Sequence, residues 1–307
     1  MDVRKLRLDD IPEDVKLRLN GATFLGSTGF ARLWQTMNGR NVYWALEDGG
    51  NIRAVLTGVE FGRWPLVRFQ SMPDGCYARA VMIDDSLDPK QSANILSRAI
   101  AKAGYAKVYI HDFHGLLESV SGFEVTDCAT SLVDVTGTDW QPPDKKLQSE
   151  IRKAQREEIT VQRFEAQKHM DRFVSLMEST EQRHGRRPKY PRVFYESLAE
   201  LAETDERVVW VVVEHKDALA ASHIYFIEND VLLNWQIYFD KAFSFLKPNQ
   251  FIMHSTVIRM VEKGVKTLNL GATPGDAESL ETYKQKWGGR THSYRCFQKR
   301  SWLGRLK

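Results

Sequence analysis

The chain has 307 residues, of which 42% are hydrophobic, and its 43 basic and 40 acidic side chains leave a net charge of +3. This length exceeds one typical hydrophobic core, and the near-balance of charge argues against a dedicated nucleic-acid coat protein. Three widely spaced cysteines argue against a disulfide framework or a zinc knuckle. No apolar run approaches the roughly 20 residues that a transmembrane segment needs, so we expect a cytoplasmic protein.

The first pattern along the chain is a predicted hairpin. Residues 42–61, VYWALEDGGNIRAVLTGVEF, combine two strand-like runs with a tight polar turn between them. Residues 209–228, VWVVVEHKDALAASHIYFIE, show the same pattern in the second half of the chain. The two segments therefore predict an antiparallel hairpin in each half.

A helix followed by a strand is also repeated. SANILSRAIAKAGYAKVYI (92–110) and IMHSTVIRMVEKGVKTLNL (252–270) align without a gap, and Gly104 or Gly264 follows each predicted helix, where a left-handed residue is favoured. Each half therefore predicts an α/β unit with a mixed sheet, and the chain is interpreted as a duplicated domain. The predicted buried positions are Leu96, Ala99, Ile100 and Ala103 in the first helix and Met253, Val257, Met260 and Val261 in the second.

The boundary between the halves is predicted near residue 140. Pro142 and Pro143, within GTDWQPPDKKL (137–147), interrupt both helix and strand. We therefore expect an N-terminal domain over residues 1–140 and a C-terminal domain over residues 141–307.

Two basic segments of the second half are candidates for binding an anionic ligand. The helix predicted after residue 144 buries an apolar line and places Arg152 on a separate basic face. EQRHGRRPKY (181–190) concentrates Arg183 and Arg186 in a loop of the kind that can hold phosphate or an RNA backbone. Each segment is equally consistent with a solvated surface.

Polar residues within two further stretches carry alternative interpretations. His223 lies in the apolar strand AASHIYF and is either a hydrogen-bonded core residue or a general base. NWQIYFDKAFSFLKPNQF (234–251) contains Trp235 and Gln236 and ends at Asn249, which is predicted to cap the next helix and could help to hold an anion there. HDFH (111–114) lacks the spacing of a zinc-binding helix, so no metal site is expected.

The stretch NLGATPGDAESLETYKQKWGG (269–289) predicts a buried strand, a turn and a short helix from about residue 277. Leu280, Tyr283 and Trp287 form the predicted core-facing stripe, and Lys284 lies on its flank. That lysine either extends its stem to water or directs a charge into a cleft. The nearby carboxylates are either candidate bases or a solvated helix start: Asp276, Glu278 and Glu281.

Four segments together carry a resemblance to a known family. EIRKAQREEITV, VVVEHKDALAASHIYF, FLKPNQFIMHSTVIRMVEKGVKTLNLGA and YKQKWGG resemble, in order and spacing, the second half of Fem aminoacyltransferases and related FemAB-like proteins. The likeness covers most of residues 145–290 and, more faintly, residues 20–135. It implies an α/β fold with mixed sheets, built from two tandem acetyltransferase-type (GNAT-like) domains.

The resemblance implies transfer of an acyl or aminoacyl group from an acyl-CoA thioester or an aminoacyl-tRNA ester to an amine, without a metal. The acceptor would be a small molecule or a cell-envelope precursor. Tyr283 and Lys284 match the family's phenylalanine-lysine pair, with tyrosine in place of phenylalanine, so Lys284 is expected to polarise the reacting carbonyl. His223 or Glu281 would accept the amine proton. The expected substrate-binding residues are Tyr77, Arg152, Arg183, Arg186, Trp235, Gln236, Asn249 and Tyr283.

The chain departs from the family at the glycine-rich loop that usually holds the pyrophosphate of coenzyme A. Residues 244–249 contain no glycine, and PDGCY (73–77) only partly matches the Pro-Tyr-Gly-Gly segment of FemAB-like first domains. A small acyl donor is still favoured over charged tRNA, because the chain lacks a long basic or coiled-coil arm. The alternatives are a tRNA-dependent peptidoglycan-type aminoacyltransferase and a non-catalytic binding module on the same duplicated fold.

Overall fold

The computed structural model describes residues 1–73, 75–157, 159–273, 278–302 and 304. The chain divides into two compact units: unit 1 contains residues 1–129 and 293–307, and unit 2 contains residues 130–292. Unit 1 is thus built from both ends of the chain. The sequence predicts two continuous domains instead, over residues 1–140 and 141–307. That boundary stays a prediction.

Short 3-10 helices accompany the regular elements at Leu8–Asp10, Trp34–Met37 and Lys241–Leu246. The first part of the chain forms β1 (Asp2–Leu6), α1 (Glu13–Ala22), α2 (Thr28–Leu33), β2 (Arg40–Asp48), β3 (Asn51–Phe61), β4 (Arg68–Gln70), β5 (Ala80–Met82), α3 (Pro89–Lys102), β6 (Lys107–Asp112) and β7 (Glu124–Asp134). The remainder forms α4 (Lys145–Arg156), β8 (Val161–Arg163), α5 (Ala166–Arg183), α6 (Arg192–Thr204), β9 (Val208–His215), β10 (Ala218–Glu228), β11 (Val231–Phe239), α7 (Pro248–Val261), β12 (Thr267–Ala272), α8 (Glu278–Lys286) and β13 (Arg290–Arg300).

The sheet of unit 1 has the order β1-β2-β3-β4-β6, and residues 295–300 of β13 pair with β6. The pairing of β4 with β6 is parallel, and the other neighbouring pairs are antiparallel. Helix α3 buries Leu96 and Ile100 and packs near β2 and β5. Ala103 is exposed at its C-terminal end, so the prediction that it belongs to the buried face is wrong.

The sheet of unit 2 has the order β12-β11-β10-β9-β8, with residues 130–134 of β7 paired to β12. Helices α4 and α7 cover one face, where Val211 and Val213 contribute to the core. Helix α5 covers the other face, where Trp210 stacks on Phe164 at 3.7 Å between ring centroids. Alternate residues of β9 therefore point to opposite faces, as a sheet buried on both sides requires.

The predicted duplication is confirmed at the level of the elements. Both predicted hairpins form, β2–β3 and β9–β10, and each turns through two residues of positive φ. Both repeated segments form a helix and then a strand, and the glycines that follow the helices have φ of 77° at Gly104 and 94° at Gly264. Within the described residues, no helix has both the length and the apolar character needed to cross a bilayer.

Candidate functional site

The parallel strands β11 and β12 of unit 2 pair only over part of their length. Their register runs from Val231 opposite Thr267 to Leu233 opposite Asn269, although β11 continues to Phe239 and β12 to Ala272. We call the region beyond these pairs, residues 234–237 of β11 and 270–272 of β12, the β11–β12 wedge. Ligands of open α/β sheets bind beyond the carboxyl ends of parallel strands, so this wedge is the candidate site.

The shape of β12 in the wedge depends on Asn269 and Gly271. Gly271 has φ of 76°, a conformation that strongly favours glycine, and the pairing of β12 with β7 is irregular there. Asn269 Oδ1 accepts hydrogen bonds from Gly271 N at 2.9 Å and from Thr130 Oγ1 at 2.5 Å. The buried asparagine therefore holds the bulged end of the strand in place.

Lys284 of α8 reaches the same end of β12. Its side chain is 3% exposed, and Nζ donates to the carbonyl oxygens of Gly271 at 2.6 Å and Ala272 at 2.8 Å and to Thr273 Oγ1 at 3.0 Å. An ammonium group has three hydrogens to donate, so all of them are used. Burial lowers the pKa of Lys284 to about 8, because desolvation disfavours the charged form.

The predicted stripe of α8 is therefore partly wrong. Trp287 is fully buried, but Leu280 is 37% exposed, and Lys284 occupies a buried position. The carbonyl groups at the bulged end of β12 require donors, and Lys284 supplies them, which turns α8 away from the predicted orientation. The predicted helix start at Ala277 and the candidate base Asp276 lie outside the described residues.

His223 links β10 to the first turn of α7. It is fully buried, with Nδ1 2.8 Å from the Tyr225 hydroxyl and Nε2 3.0 Å from Asn249 Oδ1. An amide oxygen only accepts, so Nε2 carries the proton and Nδ1 accepts from Tyr225. Burial lowers the pKa of His223 to about 4, and the ring is neutral at physiological pH.

The N-terminus of α7 differs from its prediction. Lys247 is the N-cap residue and Asn249 lies inside the helix, so the prediction that Asn249 caps it is wrong. Proline is suited to the first helical position, and the helix begins at Pro248, two residues earlier than predicted. The Glu150 carboxylate lies 3.1 Å from Lys247 Nζ and accepts from Gln250 Nε2 at 3.2 Å. A carboxylate thus lies close to the junction at residues 244–249, where related acetyltransferases usually carry the pyrophosphate-binding loop.

Three of the predicted substrate-binding residues lie along β11 or against it. Gln236 Oε1 accepts from the hydroxyls of Tyr195 at 3.0 Å and Tyr238 at 2.9 Å. Trp235 packs against Phe226, with 4.9 Å between the ring centroids. The third is the guanidinium of Arg183, which lies 4.9 Å from the centre of the Phe239 ring and donates to the Phe239 carbonyl oxygen.

Other predicted residues lie away from the wedge or in another environment. Arg152 and Glu281 are exposed on α4 and α8, and Arg186 forms an exposed ion pair with Glu181 at 2.9 Å. Tyr283 is partly buried next to Trp287, and burial raises its pKa to about 12. The last, Tyr77, belongs to unit 1, where its ring stacks on Phe113 at 4.1 Å.

Sequence reasoning missed two polar residues, one within the wedge and one at its edge. Asn269 interrupts an apolar strand immediately before LGA, and this isolated buried amide was the available signal. Asn234 gave no such signal, yet its Nδ2 is buried and has no hydrogen-bond partner in the part of the chain that the structure describes. Among those described residues, no group of three or more His, Cys, Asp and Glu side chains is placed to hold a metal ion.

Comparisons with known proteins agree with this architecture. Residues 144–285 match the family model described as an acetyltransferase (GNAT) domain. A comparison with curated proteins found no match. The structure of FemX is 13% identical to this chain, with a TM-score of 0.69, and the match covers 96% of this chain and 97% of that one.

Two further solved structures show the same fold. The C-terminal domain of a putative lysylphosphatidylglycerol synthetase from Agrobacterium fabrum is 13% identical, with a TM-score of 0.62 and coverage of 96% and 94%. A tandem GNAT protein from the clavulanic acid biosynthesis pathway is 9% identical, with a TM-score of 0.52 and coverage of 97% and 98%. The chain therefore has a tandem GNAT-like fold, and it resembles the FemAB-like proteins of that fold.

Proposed function

We propose that this protein is an N-acyltransferase that uses the β11–β12 wedge of unit 2 to join an acyl or aminoacyl group to an amine. The observation that carries the proposal is Lys284, a buried cation held at the bulged end of β12 inside a segment that matches a GNAT domain. Such a cation in a water-poor site stabilises negative charge that develops during acyl transfer.

In the proposed reaction, the acceptor nitrogen attacks the donor carbonyl carbon. A C–N bond forms, the C–S bond of a thioester or the C–O bond of an ester breaks, and the acceptor nitrogen loses a proton. The carbonyl oxygen is negative in the tetrahedral intermediate and needs donors about 3 Å away. Asn234 Nδ2 and Lys284 supply these donors, the lysine by exchanging its bond to the rotatable hydroxyl of Thr273.

The other predicted residues position the site, accept the amine proton or bind the substrates. His223 acts as a positioning residue, because both of its ring nitrogens are hydrogen-bonded inside the protein. The exposed Glu281 carboxylate or a water molecule accepts the amine proton. The proposed substrate contacts in unit 2 are Trp235, Gln236, Asn249 and Tyr283, with Arg152, Arg183 and Arg186 for anionic groups. Tyr77, in unit 1, stays a sequence-based prediction.

The β11–α7 junction favours an aminoacyl ester as a second candidate donor. The junction carries no glycine-rich loop, and Glu150 already pairs with Lys247 and accepts from Gln250, so the cation nearest the start of α7 is not free to hold the pyrophosphate of coenzyme A. An envelope-related acceptor is the first class to test, because the structural neighbours include FemX and a putative lysylphosphatidylglycerol synthetase. We propose that the reaction takes place in the cytoplasm, where acyl-CoA and charged tRNA are both available.

Transfer assays with both donor classes test this function. Thiol release from acetyl-CoA and movement of labelled amino acid from charged tRNA are followed with amine acceptors, including envelope precursors. Lys284→Met is expected to lower kcat by about 100-fold, since one charge-stabilising donor contributes about that factor. Lys286→Met, on the exposed side of the same helix, serves as the control and is expected to retain activity.

Two outcomes would contradict the proposal. If neither donor supports transfer while one of them binds, the chain is a binding module on this fold. If Lys284→Met keeps full activity and its folded structure, the lysine does not stabilise the transition state. Thermal unfolding of both variants separates a loss of activity from a loss of fold.

A further inference from the structure

A second surface, in unit 1, combines exposed aromatic and basic side chains. We call it the Trp64 patch, and it lies where the β3–β4 turn, the start of β6 and the segment after β13 come together. A recess of about 500 Å³ lies within it, with Trp64, Leu66, Arg68, Lys107 and Gly304 in its lining. The patch consists of Arg63, Trp64, Leu66, Arg68, Lys107, Arg300 and Trp302.

The apolar members of the patch are unusually exposed. Trp64 is 87% exposed, Trp302 73% and Leu66 42%, whereas the other six tryptophans of the chain are buried or partly buried. Tryptophan carries a large apolar ring system, and placing two of them in water is unfavourable unless a partner covers them.

The backbone around these side chains is held by hydrogen bonds. Gly62 has φ of 84°, and Leu66 N donates to Arg63 O at 2.7 Å to close the turn that carries Trp64. Ala106 N donates to Val67 O at 2.7 Å, and Ser301 N donates to Ala106 O at 2.9 Å. The residues just before β4 and just after β13 are therefore both hydrogen-bonded to Ala106, which precedes β6, and this keeps both tryptophans on fixed supports.

The basic members form a row across three neighbouring strands. Arg68 of β4 lies opposite Lys107 of β6, which in turn lies opposite Arg300 of β13. Directly opposed residues share a face of the sheet, and like charges in that arrangement are destabilising. Within the part of the chain that the structure describes, none of these three cations forms an ion pair.

We propose that the Trp64 patch docks on an anionic lipid bilayer. Indole rings and leucine side chains insert at the boundary between headgroups and acyl chains, and a row of cations binds lipid phosphates. This charge complementarity accounts for an arrangement that costs stability in the free protein. Single-stranded RNA can also stack on exposed indole rings, but a bilayer in addition buries the apolar side chain of Leu66, so the bilayer accounts for more of the patch.

Vesicle flotation of the full chain tests the proposal. The protein is expected to float with vesicles that contain phosphatidylglycerol and to remain below phosphatidylcholine vesicles, with binding weakened by salt. Arg68→Gln/Lys107→Gln/Arg300→Gln and Trp64→Ala/Trp302→Ala are each expected to weaken binding at least about tenfold. Binding of vesicles should also shift the tryptophan emission of the wild type to shorter wavelength, and the tryptophan variant should lose that shift.

Matched controls lie elsewhere on the surface. Leu17→Ala removes another strongly exposed apolar side chain, and Lys263→Gln/Lys266→Gln removes two exposed cations from unit 2. Both are expected to bind like the wild type. Equal binding to neutral and anionic vesicles, unchanged binding by the patch variants, or absence of vesicle binding would overturn the proposal. Binding of RNA through the same residues, with no vesicle binding, would assign the patch to nucleic acid instead.

Discussion

Lys284 carries a charged group in a buried position, which costs free energy of solvation. A buried ammonium group loses hydration, and the partners of Lys284 among the residues that the structure describes are two backbone carbonyls and a hydroxyl. The same three bonds fix the end of β12. The residue therefore connects the local structure of the wedge to the charge that the proposed reaction requires.

This burial predicts a pH dependence of stability. The folded protein binds the Lys284 proton less tightly than the unfolded chain, with a pKa of about 8 against the usual 10.5. Between those values the unfolded chain binds more protons, so the free energy of unfolding gains from this group as pH rises, on the order of 3 kcal/mol.

Urea unfolding of wild type and Lys284→Met at about pH 7.5, below the folded-state pKa, and at about pH 10, near the upper end of the range, measures most of that gain. The difference in stability between the two proteins should change in favour of the wild type at the higher pH. A difference that is independent of pH would show that Lys284 titrates normally.

Burial of His223 predicts a loss of stability at acidic pH. Burial lowers its pKa to about 4 from the usual 6.5, so the unfolded chain binds more protons between these values. The free energy of unfolding therefore falls as pH drops from 6.5 to 4, by an amount on the order of 3 kcal/mol. His223→Gln, which cannot titrate, should lose less stability than wild type between neutral pH and pH 4.5, roughly the acid end of that range. Equal losses would contradict a buried neutral imidazole.

At the scale of the elements, the wedge results from two strands that begin in parallel register and then separate. The separation follows from the bulge at Gly271 on β12 and from the irregular pairing of β10 with β11 at Ile224 and Tyr225. Two of the carbonyl groups exposed by this separation accept hydrogen bonds from Lys284. The candidate site is thus a property of strand geometry as much as of side chains.

Gly271→Ala tests the link between the bulge and activity. Alanine at a φ of 76° is strained, so the variant should lose about 1 kcal/mol or more of stability and also most of the proposed transferase activity. Gly264→Ala is the matched control, because Gly264 has φ of 94°, lies after α7 and has open space around its Cα. It should lose similar stability and keep its activity. Equal activity in the two variants would show that the bulge is not required.

At the scale of the whole molecule, the chain returns to unit 1 after completing unit 2. Residues 295–300 of β13 pair with β6, and Phe297 is fully buried, with its ring 6.2 Å from that of Phe123. The end of the chain thus contributes to the core of the unit that began it. Unit 1 needs residues that lie more than 160 positions away from Ala129 for its last strand.

Phe297→Ala should therefore weaken unit 1 in particular. Removal of a fully buried phenylalanine costs about 3 to 5 kcal/mol through lost burial and the cavity that remains. Hydrogen exchange should show the larger loss of protection in β6 and β3, with the amides of β9 and β10 less affected. The reverse pattern would support the continuous domain boundary at residue 140.

Much of the fold could be predicted from the amino-acid sequence. The hairpins, the repeated helix-strand segments and their glycines follow from local periodicity and turn chemistry, because these depend on residues close together in the chain. The resemblance to FemAB-like proteins rested on the order of those segments. Lys284 is a candidate on the same resemblance, because it lies shortly before a Trp-Gly-Gly corner.

The contacts of Lys284 and the buried side of α8 could not be predicted in this way, because they depend on residues brought together by folding. The stripe of Leu280, Tyr283 and Trp287 satisfied helical periodicity, but periodicity does not register the carbonyl groups that a bulged strand leaves without partners. The same holds for Asn249, whose amide bonds a histidine 26 positions earlier instead of its own helix. The row of Arg68, Lys107 and Arg300 likewise exists only because strand pairing joins residues far apart in the chain.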